Sequence, residues 1–265
     1  MYSTFSIAKK YLWYQLSASN GKGHGIHSPF VFAFIEKVLN GKSAKVPFAN
    51  IETQRTALLH NKNEIEGVDF GAGSGALKFR KKRIDQIAKH SLKSKKWATL
   101  LHRMAVYFSA NHIVELGTSL GITTCYLAKA NADSKIYTFE GDPSLSAVAK
   151  NVFSSLQIDN VQQVMGNFDI TLPEFLKNGP KLDFVFIDGN HQKEPTIRYF
   201  HQLLPRIHND SILIFDDIHW SKEMEQAWLE IKEHPAVTLS IDLFYFGIVF
   251  FKTDFKVKQH FTIRF

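Results

Sequence analysis

Apolar residues along this chain follow two rhythms, and the order of the rhythms predicts the fold. His112–Leu116, Leu182–Asp188 and Ser211–Asp217 are nearly continuous apolar runs that contain or end in acids. Runs of that kind are what strands buried on both faces of a sheet look like. Lys135–Glu140 and Val161–Met165 are further β-rich runs, and a helix of about Ile122–Ala130 follows the first strand. Strand and helix alternate from His112 to about Phe215, which predicts an α/β sheet with helices on both faces. The end of the chain differs. Val237–Asp242 and Tyr245–Phe251 are β-rich and almost adjacent, so they must pair antiparallel as a hairpin. Just before them, Ser221–His234 carries Met224, Ala227, Trp228 and Ile231 at helical spacing, a core-facing stripe.

Ahead of this pattern, Tyr2–Leu16 reads as an amphipathic helix and Pro29–Leu39 as a second one. The glycine-rich segment Gly21–His27 between them is either a lid or a linker. These rhythms place an N-terminal helical and basic extension at residues 1–96 and the sheet-forming core at 97–265.

Composition narrows the class. A chain of 265 residues with 45% hydrophobic content can bury one sizeable core. No apolar run reaches the ~18 residues that span a bilayer and the first residues lack a signal-peptide pattern, so the expected setting is the cytoplasm, with no membrane partner. A single Cys125 cannot form an internal disulfide and reads as a packing residue. The net charge of +7 is concentrated: nine Lys/Arg residues lie between Lys78 and Lys96 against the lone acid Asp85. That segment is either a polyanion-binding patch or the solvated face of a helix whose apolar stripe is Ile84, Ile87, Ala88 and Leu92, and the stripe favours the second reading.

The candidate chemistry sits at strand ends. Glu115-Leu116-Gly117-Thr118-Ser119-Leu120-Gly121 closes the first strand and opens a helix, which is the layout of a nucleotide-cofactor turn. Glu140, 23 residues after Gly117, ends the next strand, where an acid grips ribose hydroxyls in doubly wound folds. Gly166-Asn167-Phe168 ends the third strand, and Phe168 either stacks on a base or is core. Asp188, Asp216 and Asp217 gather at one sheet edge if their strands are parallel neighbours. Carboxylates so placed either take up protons or are neutralised by a hard divalent cation such as Mg²⁺. A second glycine-rich stretch, Asp69–Gly75, is a decoy, because the polar Lys78–Arg83 follows it and no strand-end acid stands some 20 residues later.

The spacing of Glu115, Gly117 and Gly121 departs from G-x-G-x-x-G and resembles motif I of class I S-adenosylmethionine (SAM) methyltransferases. Over about Trp97–Lys252 the chain is similar to the branch that contains the catechol and caffeoyl-CoA O-methyltransferases. Gly25–Phe30, Asp69–Ser74 and Asp216–Trp220 together resemble a bacterial group of that branch. The resemblance implies a Rossmann-like, doubly wound, seven-stranded sheet of order 3-2-1-4-5-7-6, the last strand antiparallel. It implies SAM contacts from Glu115, Gly117, Thr118, Ser119, Gly121, Glu140, Gly141, Asn167, Phe168 and Asp188. It implies a divalent cation on Asp188, Asp216 and Asp217, with Asp217 standing where the family has Asn. His191 occupies the position of the family's catalytic Lys and is a candidate general base, since an unperturbed imidazole titrates near pH 6.5.

The resulting expectation is O-methyl transfer to a small-molecule acceptor, with Asp188 and His191 as the catalytic pair. Two alternatives stand beside it: an RNA methyltransferase that docks its substrate on residues 78–96, and a non-catalytic module that binds SAM or nucleic acid. The sequence does not choose the acceptor or the oligomeric state.

Overall fold

The computed structural model describes residues 1–41, 48–69 and 78–265. The glycines of the decoy stretch, Gly71, Gly73 and Gly75, lie outside the described residues. In chain order the elements are α1 (Thr4–Ser17), α2 (Pro29–Phe34, continued by a π-helical turn Ile35–Leu39), α3 (Ala49–His60), β1 (Glu64–Asp69), β2 (Lys78–Arg83), α4 (Ile84–Ser91), α5 (Lys95–Tyr107) and β3 (His112–Leu116). They continue with α6 (Ile122–Ala128), β4 (Lys135–Glu140), α7 (Pro143–Ser155), β5 (Val161–Met165), α8 (Phe168–Asn178), β6 (Phe184–Ile187), α9 (Lys193–Leu203) and β7 (Ile212–Phe215). The chain ends with α10 (Lys222–Glu233), β8 (Leu239–Asp242), β9 (Gly247–Phe250) and β10 (Gln259–Thr262). The α/β class read from the apolar runs, Rossmann-like by the resemblance, is the class observed.

The chain divides into two compact units, Ser43–Pro180 and Met1–Lys42 with Lys181–Phe265. This division does not follow the 1–96 and 97–265 boundary drawn from the sequence.

In the unit Ser43–Pro180, β3, β4 and β5 are neighbours and all parallel, with Glu115 opposite Thr138 and Glu140 opposite Met165. Their order is the 3-2-1 half of the expected sheet. Leu120, Ile122, Cys125, Tyr126, Ala149 and Phe153 form one buried cluster beneath the turn after β3. Burial raises the Cys125 thiol pKa well above its ordinary value, so this residue packs rather than reacts. The basic segment folds as β2 and α4. Ile84 and Ala88 are buried and Ile87 and Leu92 pack beside them, so its apolar stripe faces inward. The antiparallel β1–β2 hairpin, with Glu64 opposite Arg83, was not anticipated in an extension read as helical and basic.

In the other unit, β6 and β7 are parallel, and β9 runs antiparallel to both β7 and β8. The order β6-β7-β9-β8 is the expected 4-5-7-6 half with its reversed strand. One further strand, β10, adds parallel to β8 and exceeds the expected number. The Ser221 hydroxyl caps α10 by accepting from the Met224 amide at 3.1 Å, and Met224, Ala227, Trp228 and Ile231 are all buried, as their spacing predicted. Gly247 on β9 is glycine for a packing reason: a Cβ there would stand 2.7 Å from the Trp228 ring. Between α1 and α2, two successive turns bring Gly23 and Gly25 to positive φ, and the Asn40 side-chain amide donates to the Gly21 carbonyl at 2.7 Å.

Candidate functional site

The turn between β3 and α6 is built from positive-φ residues: Gly117 at 111°, Ser119 at 49° and Gly121 at 79°. The two glycines suit that backbone because no Cβ opposes it. Gly121 has a second reason, since a Cβ there would lie 2.8 Å from Phe153 and 3.0 Å from Ala149 on α7. It therefore also secures the packing of the turn against α7. The turn's amides are largely spent within the protein. Gly117 and Thr118 donate to the Phe139 carbonyl at 3.0 Å, Gly121 to the Thr118 carbonyl at 2.9 Å, and Ser119 to Glu140 Oε2 at 2.8 Å. A phosphate-binding loop would keep such donors for its ligand. A turn whose donors are already engaged suits a cofactor without phosphates, such as SAM.

Beneath the turn lies Glu115, with no exposed surface. Its Oε2 accepts from the hydroxyls of Thr124 at 2.5 Å and Thr138 at 2.6 Å. Its Oε1 has no hydrogen-bond partner among the described residues. Burial pushes this carboxyl up to about 7, against the lowering effect of the two threonine hydroxyls. An orphaned, strongly perturbed carboxyl below a cofactor turn fits a cofactor that carries positive charge. Thr138 also meets Thr118 at 2.6 Å, so three hydroxyls and one carboxyl, those of Thr118, Thr138, Thr124 and Glu115, are chained together under the backbone.

Glu140 ends β4, as read from the sequence, and binds back to the turn. Besides Ser119, it accepts from the Asp142 amide at 2.9 Å through Oε1. Burial raises its pKa, opposed by the amides of Asp142, Ser119 and Gly141. Asn167 caps α8 by accepting from the Asp169 amide at 2.9 Å. Phe168 is half-buried and stands edge-on to Phe139 at 6.5 Å. Ser91, which sequence reasoning missed, reaches Ser119 with its hydroxyl at 2.9 Å.

The second group of candidates belongs to the unit of β6 and β7. Because Ile187 lies opposite Phe215, the residues that follow the two strands emerge side by side, and the Asp216 amide donates to the Ile187 carbonyl at 3.0 Å. Asp188, His191 and Asp216 offer one ligand atom each, all within 4.8 Å of one another. His191 Nε2 is 3.6 Å from Asp188 Oδ1. The chain returns His191 towards Asp188 through Asn190, which has φ of 63° and donates its side-chain amide to the buried Tyr199 hydroxyl at 3.0 Å. Asp217 is not a member of this three-residue group. Its φ of 53° puts it at the head of a tight turn in which its carbonyl accepts from the Trp220 amide at 2.9 Å. The residue that accompanies Asp188 and Asp216 in this group is His191. Cis and trans donors on an octahedral ion stand about 3.0 and 4.2 Å apart for bonds near 2.1 Å, so two carboxylates and an imidazole so close together fit a divalent cation.

A network near this edge escaped the sequence reading. His219 lies between Glu225 Oε1 at 3.0 Å and Asp242 Oδ2 at 2.9 Å, and Glu225 also accepts from Tyr2 at 2.7 Å and Lys10 at 2.9 Å. Burial alone would lower the His219 pKa, but the two carboxylates outweigh it and raise the imidazole above its ordinary value. The sequence signal was only a His three residues after Asp216.

A glycine turn over a buried acid, an acid at the tip of the next parallel strand and an Asp–His–Asp group on a separate parallel pair are features in which this α/β chain resembles methyltransferases. Comparison with known proteins agrees. Residues 114–218 match the model of a family described as a methyltransferase domain. A catechol O-methyltransferase from Niastella koreensis is 31% identical over 121 residues, which cover 44% of this chain and 54% of that protein. This chain spans about half the length of the curated relatives it matches. In three dimensions, the O-methyltransferase from Bacillus cereus in complex with S-adenosylhomocysteine (SAH) aligns with a TM-score of 0.54 at 19% identity, covering 61% of this chain and 83% of that one. The SAH-bound methyltransferase PaMTH1 of Podospora anserina aligns with a TM-score of 0.58 at 12% identity, covering 95% and 97%. The resemblance to class I O-methyltransferases of the catechol and caffeoyl-CoA type, drawn from the motifs, is borne out. Among the described residues no helix is long and apolar enough to cross a membrane.

Proposed function

We propose that this chain transfers the methyl group of SAM to an oxygen of a small acceptor, with help from a divalent cation held by Asp188, His191 and Asp216. The observation that carries the reading is the convergence of those three ligand atoms within 4.8 Å at the carboxyl ends of β6 and β7. The glycine turn supports SAM: its amides are spent, and the orphaned Glu115 Oε1 favours a cofactor bearing an ammonium and a sulfonium. Glu140, at the tip of the second strand, is the group to take the ribose hydroxyls.

The sulfonium brings its own activation, so the protein's share is alignment of donor and acceptor, exclusion of water and loss of the acceptor proton. A bound cation supplies a template for the acceptor hydroxyl and lowers its pKa. His191 stands within the donor group, its Nε2 3.6 Å from Asp188 Oδ1, so we assign it as the third ligand rather than the free base suggested by its place in the sequence. Asp217, turned into the backbone bend, shapes the loop.

The RNA reading is weaker, because the stripe of the basic segment is packed inward and Arg83 is engaged by Asp85 at 3.0 and 2.6 Å. A lone buried thiol suits the cytoplasm, which is where we place the protein. The test is methyl transfer from labelled SAM to a panel of vicinal diphenols, with Mg²⁺ or Mn²⁺ and with chelator. Asp216→Asn should cut turnover at least ~100-fold while leaving SAM affinity within about twofold. Undiminished turnover in chelator would make the Asp–His–Asp group structural.

A further inference from the structure

The turn that follows β7 carries Asp216 into the donor group and then runs on to Ser221, the cap of α10. Asp217, at a φ of 53°, bends the chain sharply at the residue next to Asp216. The backbone of the turn is shaped by the Trp220 amide, which donates to the Asp217 carbonyl at 2.9 Å, and by a longer contact of 3.4 Å from the Ile218 amide to the Tyr245 carbonyl. A carboxylate presented from so tight a bend keeps a fixed place only if the rest of the turn is anchored.

The anchor is His219. Its Nδ1 stands 3.0 Å from Glu225 Oε1 on α10 and its Nε2 2.9 Å from Asp242 Oδ2 at the end of β8, so one imidazole joins the turn to two separate elements. Each nitrogen faces a carboxylate, and only the doubly protonated ring donates on both sides. Asp242 uses its other oxygen, Oδ1, to accept from the Phe244 amide at 2.8 Å, in the turn between β8 and β9 where Phe244 is left-handed at a φ of 73°. The Phe244 ring in turn lies against the imidazole, with centroids 5.2 Å apart. Glu225 is held from α1, by the Tyr2 hydroxyl at 2.7 Å and the Lys10 ammonium at 2.9 Å, while the Tyr2 amide donates to the Trp220 carbonyl at 3.1 Å.

We propose that His219 is a positioning residue for the cation site, clamped between Glu225 and Asp242 so that the turn after β7 presents the Asp216 carboxylate to Asp188 and His191. The inference rests on the reading of that group as a cation site. A role confined to holding α1 explains the cluster less well. Tyr14 and Ala18 already dock the helix against Phe244, and the Tyr14 hydroxyl donates to the Ile263 carbonyl. Partly buried charges, by contrast, contribute little net stability once their desolvation is counted. What the cluster supplies is a fixed geometry, passed to Asp216 through the three residues that separate it from His219.

Mn²⁺ titrated into the full chain, with the free ion read by electron paramagnetic resonance, tests the proposal without turnover. His219→Ala should weaken Mn²⁺ binding about 10- to 100-fold, the usual cost of losing a group that orients a metal's ligands. SAM affinity, which reports on the turn after β3 in the other unit, should stay within about twofold. His208→Ala is the matched control. It removes another His–carboxylate contact, 2.9 Å to Asp183, ahead of β6 and β7 at the opposite sheet edge, and should leave Mn²⁺ affinity unchanged. Loss of the anchor should also appear in the turn itself, as amide hydrogen exchange at Ile218 and Trp220 at least ~10-fold faster. Should His219→Ala fold poorly, Tyr2→Phe with Lys10→Met frees Glu225 from the α1 side and should weaken Mn²⁺ binding about 2- to 10-fold. Wild-type affinity in His219→Ala, or in the double variant where that is the one titrated, overturns the proposal, as does an equal loss in His208→Ala. A wild type that binds no Mn²⁺ is a separate result, because it removes the cation reading itself and the proposal with it.

Discussion

Replacing Glu115 by Gln isolates one buried carboxyl whose energetics are large enough to measure. Burial holds this group up to about 7, against an ordinary 4.5, despite hydrogen bonds from Thr124 and Thr138. A carboxyl with a raised folded-state pKa favours folding while it stays protonated in both states. It loses that contribution as pH rises from 4.5 through about 7, because the unfolded chain ionises it freely and the folded chain resists. At about 1.4 kcal/mol per pKa unit, the full shift corresponds to about 3 kcal/mol, of which about 2–3 kcal/mol falls between pH 5 and 8.5. Gln cannot ionise, so subtracting its stability from the wild type's removes every other titrating group from the comparison. Urea unfolding followed by circular dichroism at pH 5, 6, 7 and 8.5 gives both curves. The difference, wild type minus Glu115→Gln, should fall by about 2–3 kcal/mol from the lowest pH to the highest. A difference constant to within about 0.5 kcal/mol would mean that Glu115 ionises as easily folded as unfolded, and the assignment of a buried acid waiting for a cationic cofactor would lose its energetic basis.

Two further changes probe the packing that shapes the site. Gly121→Ala forces a side chain into a left-handed backbone and against Phe153, so it should destabilise by about 2–4 kcal/mol, visible as a lower melting temperature. A melting temperature within 1–2 °C of wild type would show that the turn relaxes freely. Trp228→Ala, in the core beneath β9, should cost about 3–5 kcal/mol by calorimetry, and a loss under 1 kcal/mol would mean the ring is not the support for Gly247 that the contacts indicate.

The parallel strands were legible because burial on both faces leaves little room for polar alternation, so β3, β6 and β7 appear as nearly continuous apolar runs that contain or end in acids. Helix α10 was legible from four residues at a single spacing. The β1–β2 hairpin was not, since Glu64-Ile65-Glu66 and Lys78–Arg83 are charged and the pairing that joins them is carried by the backbone. β10 hid for a similar reason, with Gln259 and His260 giving no apolar signal for a strand at the sheet edge. At the site, positions on strand ends could be read in advance because strand direction fixes them. The approach of His191 to Asp188 and Asp216 could not, because it depends on left-handed residues, Asn190 and Asp217, that redirect the chain after each strand.

Isothermal titration of SAM and SAH into the folded chain and into Gly117→Val tests most directly whether the turn after β3 holds SAM. A branched side chain at φ of 111° is incompatible with the turn's backbone. The wild type should bind both ligands with one site per chain, and the variant should show at least ~100-fold weaker affinity while circular dichroism still reports a folded protein. Absence of any heat in the folded wild type, or equal affinity in the variant, would contradict the claim.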